Sequence, residues 1–160
     1  MSDSLKDLVE RTLIEILEET AMIFADPASP EGIEGPPGDL VYATMEIEGH
    51  AYGSLNVIAP MDLVQAIAAG VLGVDEDSEQ ATENAFDAFA EFLNVTVGKI
   101  TVEQFGSGAT FDLKPPVTAA SDTQRWQDIL NSDDVVALDA DDNLLLAYAV
   151  LNETVGEARS

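Results

Sequence analysis

Between Phe86 and Ile100 the apolar residues recur at helical spacing, and this stretch constrains the fold of the chain more than any other. At about 100° per residue, Phe86, Phe89, Ala90, Leu93, Val97 and Ile100 form one stripe of a long helix. Asp87, Glu91, Asn94 and Gly98 fall within roughly 60° of one another on a separate face. The helix builds its core on one side and turns a row of acid, acid, amide and glycine outward. Folding does not need such a row, so the sequence predicts that something meets it.

The rest of the chain reads by the period of its apolar residues. From Leu5 to Phe24 they recur every three or four positions behind Ser4, a residue able to cap a helix. Residues 26–39 carry Pro27, Pro30, Pro36 and Pro37 with three glycines, which predicts a loop. Val41–Glu48 and Ala51–Ile58 alternate apolar and polar, with Gly49-His50 between them at hairpin distance, so His50 is read as a turn residue. Pro60 suits the start of a second helix through Leu72, closed by Gly70 or Gly73. The motif helix is expected from about Ser78, as its cap, to Phe105, where Gly106-Ser-Gly108 ends it. Thr110–Leu113 reads as a short strand, Asp122–Leu130 as a helical turn holding Trp126, and Asp133–Leu138 and Leu144–Leu151 as two strands. The segment Asp139–Asn143 between them lacks the glycine and the spaced terminal Glu of a calcium loop and is read as a solvated hairpin turn. The uncharged run Leu144–Leu151 suits either a central strand or a sheet edge. These elements together make an α+β protein, with helices on one side of a largely antiparallel sheet.

Composition narrows the chemistry. The 160 residues, 46% hydrophobic, suit one domain spanning 1–160 with a core from about residue 5 to residue 153. Zero cysteines exclude disulfides and thiolate metal sites, and a single histidine removes the usual zinc, triad and phosphohistidine chemistries. The formal charge of −25, with only six Lys and Arg, argues against nucleic acid or an anionic membrane as partner, because both are held by basic residues. The acids are scattered along the whole chain. That pattern is a whole-surface property, read either as adaptation to a salty cytoplasm or as an ordinary acidic surface, one use of which is to meet a basic partner. No uninterrupted apolar run reaches membrane-spanning length and no secretion signal opens the chain, so a cytoplasmic location is expected.

At Asp87, Glu91 and Asn94 the chain resembles the CheC/CheX/FliY family of chemotaxis phosphatases. The family signature is Asp or Ser, three residues, Glu, two residues, Asn, and a Pro about two dozen residues on. Pro115 and Pro116 come one or two residues early, as a short deletion in the turn would place them. The order of elements over most of residues 5–153 agrees with the resemblance. It implies a CheC-like fold of two pseudo-symmetric α-β halves, each a long helix with strands. Some members carry the Glu-and-Asn signature in both halves. Here the first helix offers Glu18 and Glu19 but no Asn, so one site is expected, as in CheX-type members.

An acid and an amide a turn apart on a helix supply no good nucleophile, and no neighbouring base is evident, so self-contained catalysis is not expected. An amide can fix the direction of an attacking water, which suits phosphoryl hydrolysis when the partner carries the metal and the acids. The resemblance implies that this partner is a phosphorylated CheY-type receiver domain bringing its own aspartyl phosphate, Mg²⁺ and Lys. Asn94 would then orient the water, Glu91 would pair with the receiver Lys, Asp87 would lie at the rim, and Gly98 would allow close approach. The chain would need no cofactor of its own, and the resemblance further implies a homodimer joined through sheet edges. The alternative is a binding module that docks a receiver or another signalling protein without hydrolysis.

Overall fold

The computed structural model describes residues 4–33 and 38–153. Ser4 caps α1 (Leu5–Ala21) by accepting from the Asp7 N–H at 3.1 Å. The helix stops at Met22, whose left-handed backbone (φ 57°) lets its own N–H donate to the Glu18 carbonyl and the Ile23 N–H donate to the Leu17 carbonyl. It is therefore shorter than the run to Phe24, and Phe24 stands exposed beyond the turn. The next four residues form β1 (Ala25–Ala28), which runs into the segment 26–39 expected to be loop. Pro27 is tolerated there because β1 is an edge strand. Pro36 and Pro37 lie outside the described residues.

Strands β2 (Leu40–Gly49) and β3 (Ala51–Pro60) pair antiparallel around Gly49-His50, with His50 in the turn as expected. Helix α2 (Met61–Leu72) is closed by Gly73 at φ 73°. Gly70 instead serves packing. A Cβ there would sit 2.3 Å from the Ala21 carbonyl oxygen, so glycine lets the ends of α1 and α2 touch. The expected single motif helix is two. Ser78 caps α3 (Glu79–Glu83), which breaks at Asn84, and α4 (Ala85–Phe105) begins behind it. Asn84 departs from helical geometry (φ −104°, ψ 10°) and its side chain donates back to the Gln80 carbonyl, a local bond that competes with helix continuation.

Strands β4 (Phe111–Leu113) and β5 (Val117–Ser121), helix α5 (Thr123–Leu130), and strands β6 (Val136–Ala140) and β7 (Asn143–Glu153) complete the order. Asp141 and Asp142 make the β6–β7 turn, both at positive φ, which short Asx side chains tolerate. The sheet runs β1-β6-β7-β3-β2-β4, with β5 beside β2 as well, and every pairing is antiparallel. Leu144–Leu151 thus belongs to an interior strand, and the sheet edges fall to β1 and to β4 and β5.

This order has an internal symmetry. The β2–β3 and β6–β7 hairpins lie back to back where β3 meets β7. Strand β1, which follows α1, pairs with β6, while β5, which follows α4, pairs with β2. Each half lends a strand to the hairpin of the other, giving the two related α-β halves.

Side chains on alternate strand positions separate two cores. Val41, Ala43, Met45, Leu55, Val57 and Leu145 face α1, α2 and α4 in the main core. Leu40, Ile58, Ala137 and Leu146 face the opposite way and meet Trp126 and Ile129 of α5. The helices are therefore not all on one side. Trp126 and Ile129, one turn apart, give α5 an apolar face that covers part of the second sheet surface.

Candidate functional site

Helix α4 is buried on most of its circumference. Phe89, Phe92, Leu93, Thr96, Val97 and Ile100 are in the core, while Phe86 and Ala90 of the predicted stripe are half-buried. Its free face carries Asp87, Glu91 and Asn94, all exposed, with Gly98 half-exposed in the same row. Among the described residues no hydrogen bond or ion pair engages the side chains of Asp87, Glu91 or Asn94. A Cβ at Gly98 would meet nothing within 4 Å, so internal packing does not require glycine there. Asp87 has a structural use as well: it lies in the first turn of a helix whose N-cap makes no side-chain bond, where a carboxylate offsets the positive end of the helix.

The position of α4 is set by its neighbours. Lys99 Nζ lies 3.1 Å from Glu15 Oε1, and Arg11 lies 3.3 Å from Glu103, so two ion pairs tie α4 to α1 in antiparallel register. The hydrogen bond to Glu15 holds the Lys99 ammonium above its ordinary pKa range. At the C-terminal end of α4, Phe105 packs 5.1 Å from the His50 ring, which gives the turn histidine a packing role. Pro115 and Pro116 lie between β4 and β5, and β5 packs against α4. Sequence reasoning missed Val102, 51% exposed and one turn beyond Gly98 on the same side of α4. Its place in the row follows from spacing, but an apolar side chain carries no signal of belonging to a polar face.

Chemically, the face offers an acid and an amide that project into water from a well-packed helix, with unused hydrogen-bonding capacity. Among the described residues no group of three or more His, Asp or Glu stands together as a metal site. The row can bind and orient. It has no nucleophile of its own.

Residues 41–145 match the family described as chemotaxis phosphatase CheX. The chain belongs to the CheX family. Solved structures carry the same fold. CheX from Vibrio vulnificus matches with a TM-score of 0.69 at 17% identity, covering 94% of this chain and 100% of that one. The CheX-CheY-BeF3-Mg complex from Borrelia burgdorferi matches at 0.66 and 14%, covering 94% and 99%. FliY from Thermotoga maritima matches at 0.56 and 14%, covering 97% and 92%. At these identities the likeness establishes the fold alone. No curated protein sequence matches significantly. The mixed helical and antiparallel architecture is that of CheX and CheC-like proteins, and the chain is a member of a family of chemotaxis phosphatases.

Proposed function

We propose that this CheX-family chain hydrolyses the aspartyl phosphate of a CheY-type receiver, with α4 as the docking helix. The observation that carries the reading is the exposed row of Glu91 and Asn94, whose side chains no internal bond uses. The Asn94 amide holds a water in line with the phosphorus. The water oxygen attacks, the bond from phosphorus to the receiver carboxylate breaks, and hydrogen phosphate leaves with one of the water's protons while the other passes to solvent. Mg²⁺ belongs to the receiver and offsets charge on the phosphoryl oxygens. Glu91 pairs with the receiver Lys, Asp87 lies at the rim, and the bare backbone at Gly98 lets the receiver approach closely. A complex of a CheX with CheY from Borrelia burgdorferi supports the choice of partner.

We also place the protein in the cytoplasm, where such receivers work; no described helix is long and apolar enough to cross a membrane. A homodimer is part of the same reading. With β7 interior, its sheet-edge contact falls to an outer strand.

Separating binding from turnover tests the mechanism. Asn94→Ala is expected to bind a Mg²⁺-loaded, phosphorylated receiver as wild type does and to lose hydrolysis, whereas Glu91→Ala loses binding. An Asn94→Ala protein that turns over at the wild-type rate overturns the assignment.

A further inference from the structure

Half of the eight large hydrophobic residues exposed among the described residues occur near one end of the helical layer. Met22 is 77% exposed and Phe24 69%, and Val71 and Leu72 are exposed on the last turn of α2. Met22 and Phe24 line an open cavity of about 410 Å³ whose wall includes Gly70, Val74, Asp75 and Asp141. The contact of Gly70 with Ala21 brings the C-termini of α1 and α2 together there. A helix C-terminus carries partial negative charge, which chains usually offset with Lys, Arg or His in the last turn. Neither α1 nor α2 has a basic residue in its last turn. Around them stand the exposed carboxylates of Asp75, Glu76 and Asp141. The site thus combines accessible apolar surface with three exposed carboxylates and two uncompensated helix C-termini.

We propose that this end of the protein is a second docking surface, distinct in residues from the α4 row, for a basic amphipathic segment of a partner protein. Its apolar side chains cover Met22 and Phe24, and its Lys or Arg residues meet Asp75, Glu76, Asp141 and the two helix C-termini. Charge selects this occupant. A second copy of the chain brings six basic residues against 31 acidic ones, and Lys99 and Lys114 already face carboxylates of their own subunit. An anionic lipid surface is repelled by a net charge of −25. A cationic segment is attracted, and the patch supplies the apolar anchors that a purely electrostatic contact lacks.

The probe is a synthetic amphipathic peptide of Lys and Leu at helical spacing, titrated into the isotopically labelled full chain at physiological salt. Amide shifts are expected at residues 21–24, 66–76 and 141. The double substitution Met22→Asn, Phe24→Ser should weaken binding about tenfold while leaving the rest of the spectrum in place. Asn is chosen at position 22 because it accepts the left-handed backbone there. A second variant, Asp75→Asn with Glu76→Gln, should weaken binding without touching the apolar anchors. Shifts spread evenly over the acidic surface, or unchanged affinity in both variants, overturn the proposal. Concentration-dependent shifts at the same residues without peptide assign the surface to self-association and overturn it too.

Discussion

Glu15 and Lys99 meet at 3.1 Å, and one turn away Arg11 meets Glu103 at 3.3 Å, so α1 and the motif helix are pinned side by side in antiparallel register. The pairs are open to solvent, which screens them, so neither is a strong contribution to stability. Their value is positional. A double-mutant cycle on Glu15→Gln and Lys99→Met is expected to give a small coupling that fades as salt rises. A large coupling, unchanged in molar salt, contradicts the assignment.

Salt should act on the whole molecule in the opposite direction. With 31 acidic residues and six basic ones, self-repulsion outweighs the few exposed ion pairs, and molar salt shortens its reach from about 10 Å to about 3 Å. The melting temperature is expected to rise between low and molar NaCl. A fall would mean that the ion pairs dominate and would remove the case for adaptation to salt.

Gly98 separates folding from function. Its added Cβ meets nothing, so Gly98→Ala should stabilise α4 by about 0.5–1 kcal/mol. In the proposed docking the same methyl would stand between α4 and the receiver, so the substitution is expected to raise KM for the phosphorylated receiver. Urea unfolding and steady-state kinetics on one preparation check both halves; a stabilised variant with unchanged KM removes Gly98 from the interface.

Gly70 should behave in the opposite way. Ala at this position drives its Cβ into the Ala21 carbonyl, and relief requires α1 and α2 to separate. A loss of about 1–3 kcal/mol is expected from urea midpoints at constant slope. An undiminished midpoint would show that the helix ends part freely.

Tyr148 gives a test at alkaline pH. Burial, and then the nearby Tyr42, hold its hydroxyl above the ordinary range, with Arg125 opposing. A raised folded-state pKa means the contribution is fully present below the unfolded value near 10 and is lost as pH rises through the folded one. Tyr148→Phe should flatten the fall in stability above about pH 10. If the wild-type and variant curves are parallel there, Tyr148 titrates alike in both states.

Much of this was legible because apolar periodicity is strong where burial is strong. Helices α1, α2 and α4, the β2–β3 hairpin and the exposed row on α4 all follow from it. Three features escaped. Strands β1 and β5 are short, and their sequences, Ala-Asp-Pro-Ala and Val-Thr-Ala-Ala-Ser, carry no clear alternation because each has a neighbour on one side only. The break at Asn84 depends on one side-chain bond that competes with the helix. The placement of α5 on the second sheet face depends on strand parity, visible only once Leu40, Ile58 and Leu146 are in register. At the site, spacing supplied the row, while the braces from Arg11 and Glu15 required the tertiary fold.

Phosphatase action on a receiver is measured most directly as loss of phosphoryl label from a Mg²⁺-bound CheY-type protein with wild type, Glu91→Ala and Asn94→Ala, from low to molar salt. Wild type is expected to accelerate the decay, and each substitution to remove the acceleration by about 10²-fold or more. Decay left unchanged by wild type with cognate receivers at every salt concentration would contradict the water-orienting mechanism and leave a binding module on a phosphatase fold.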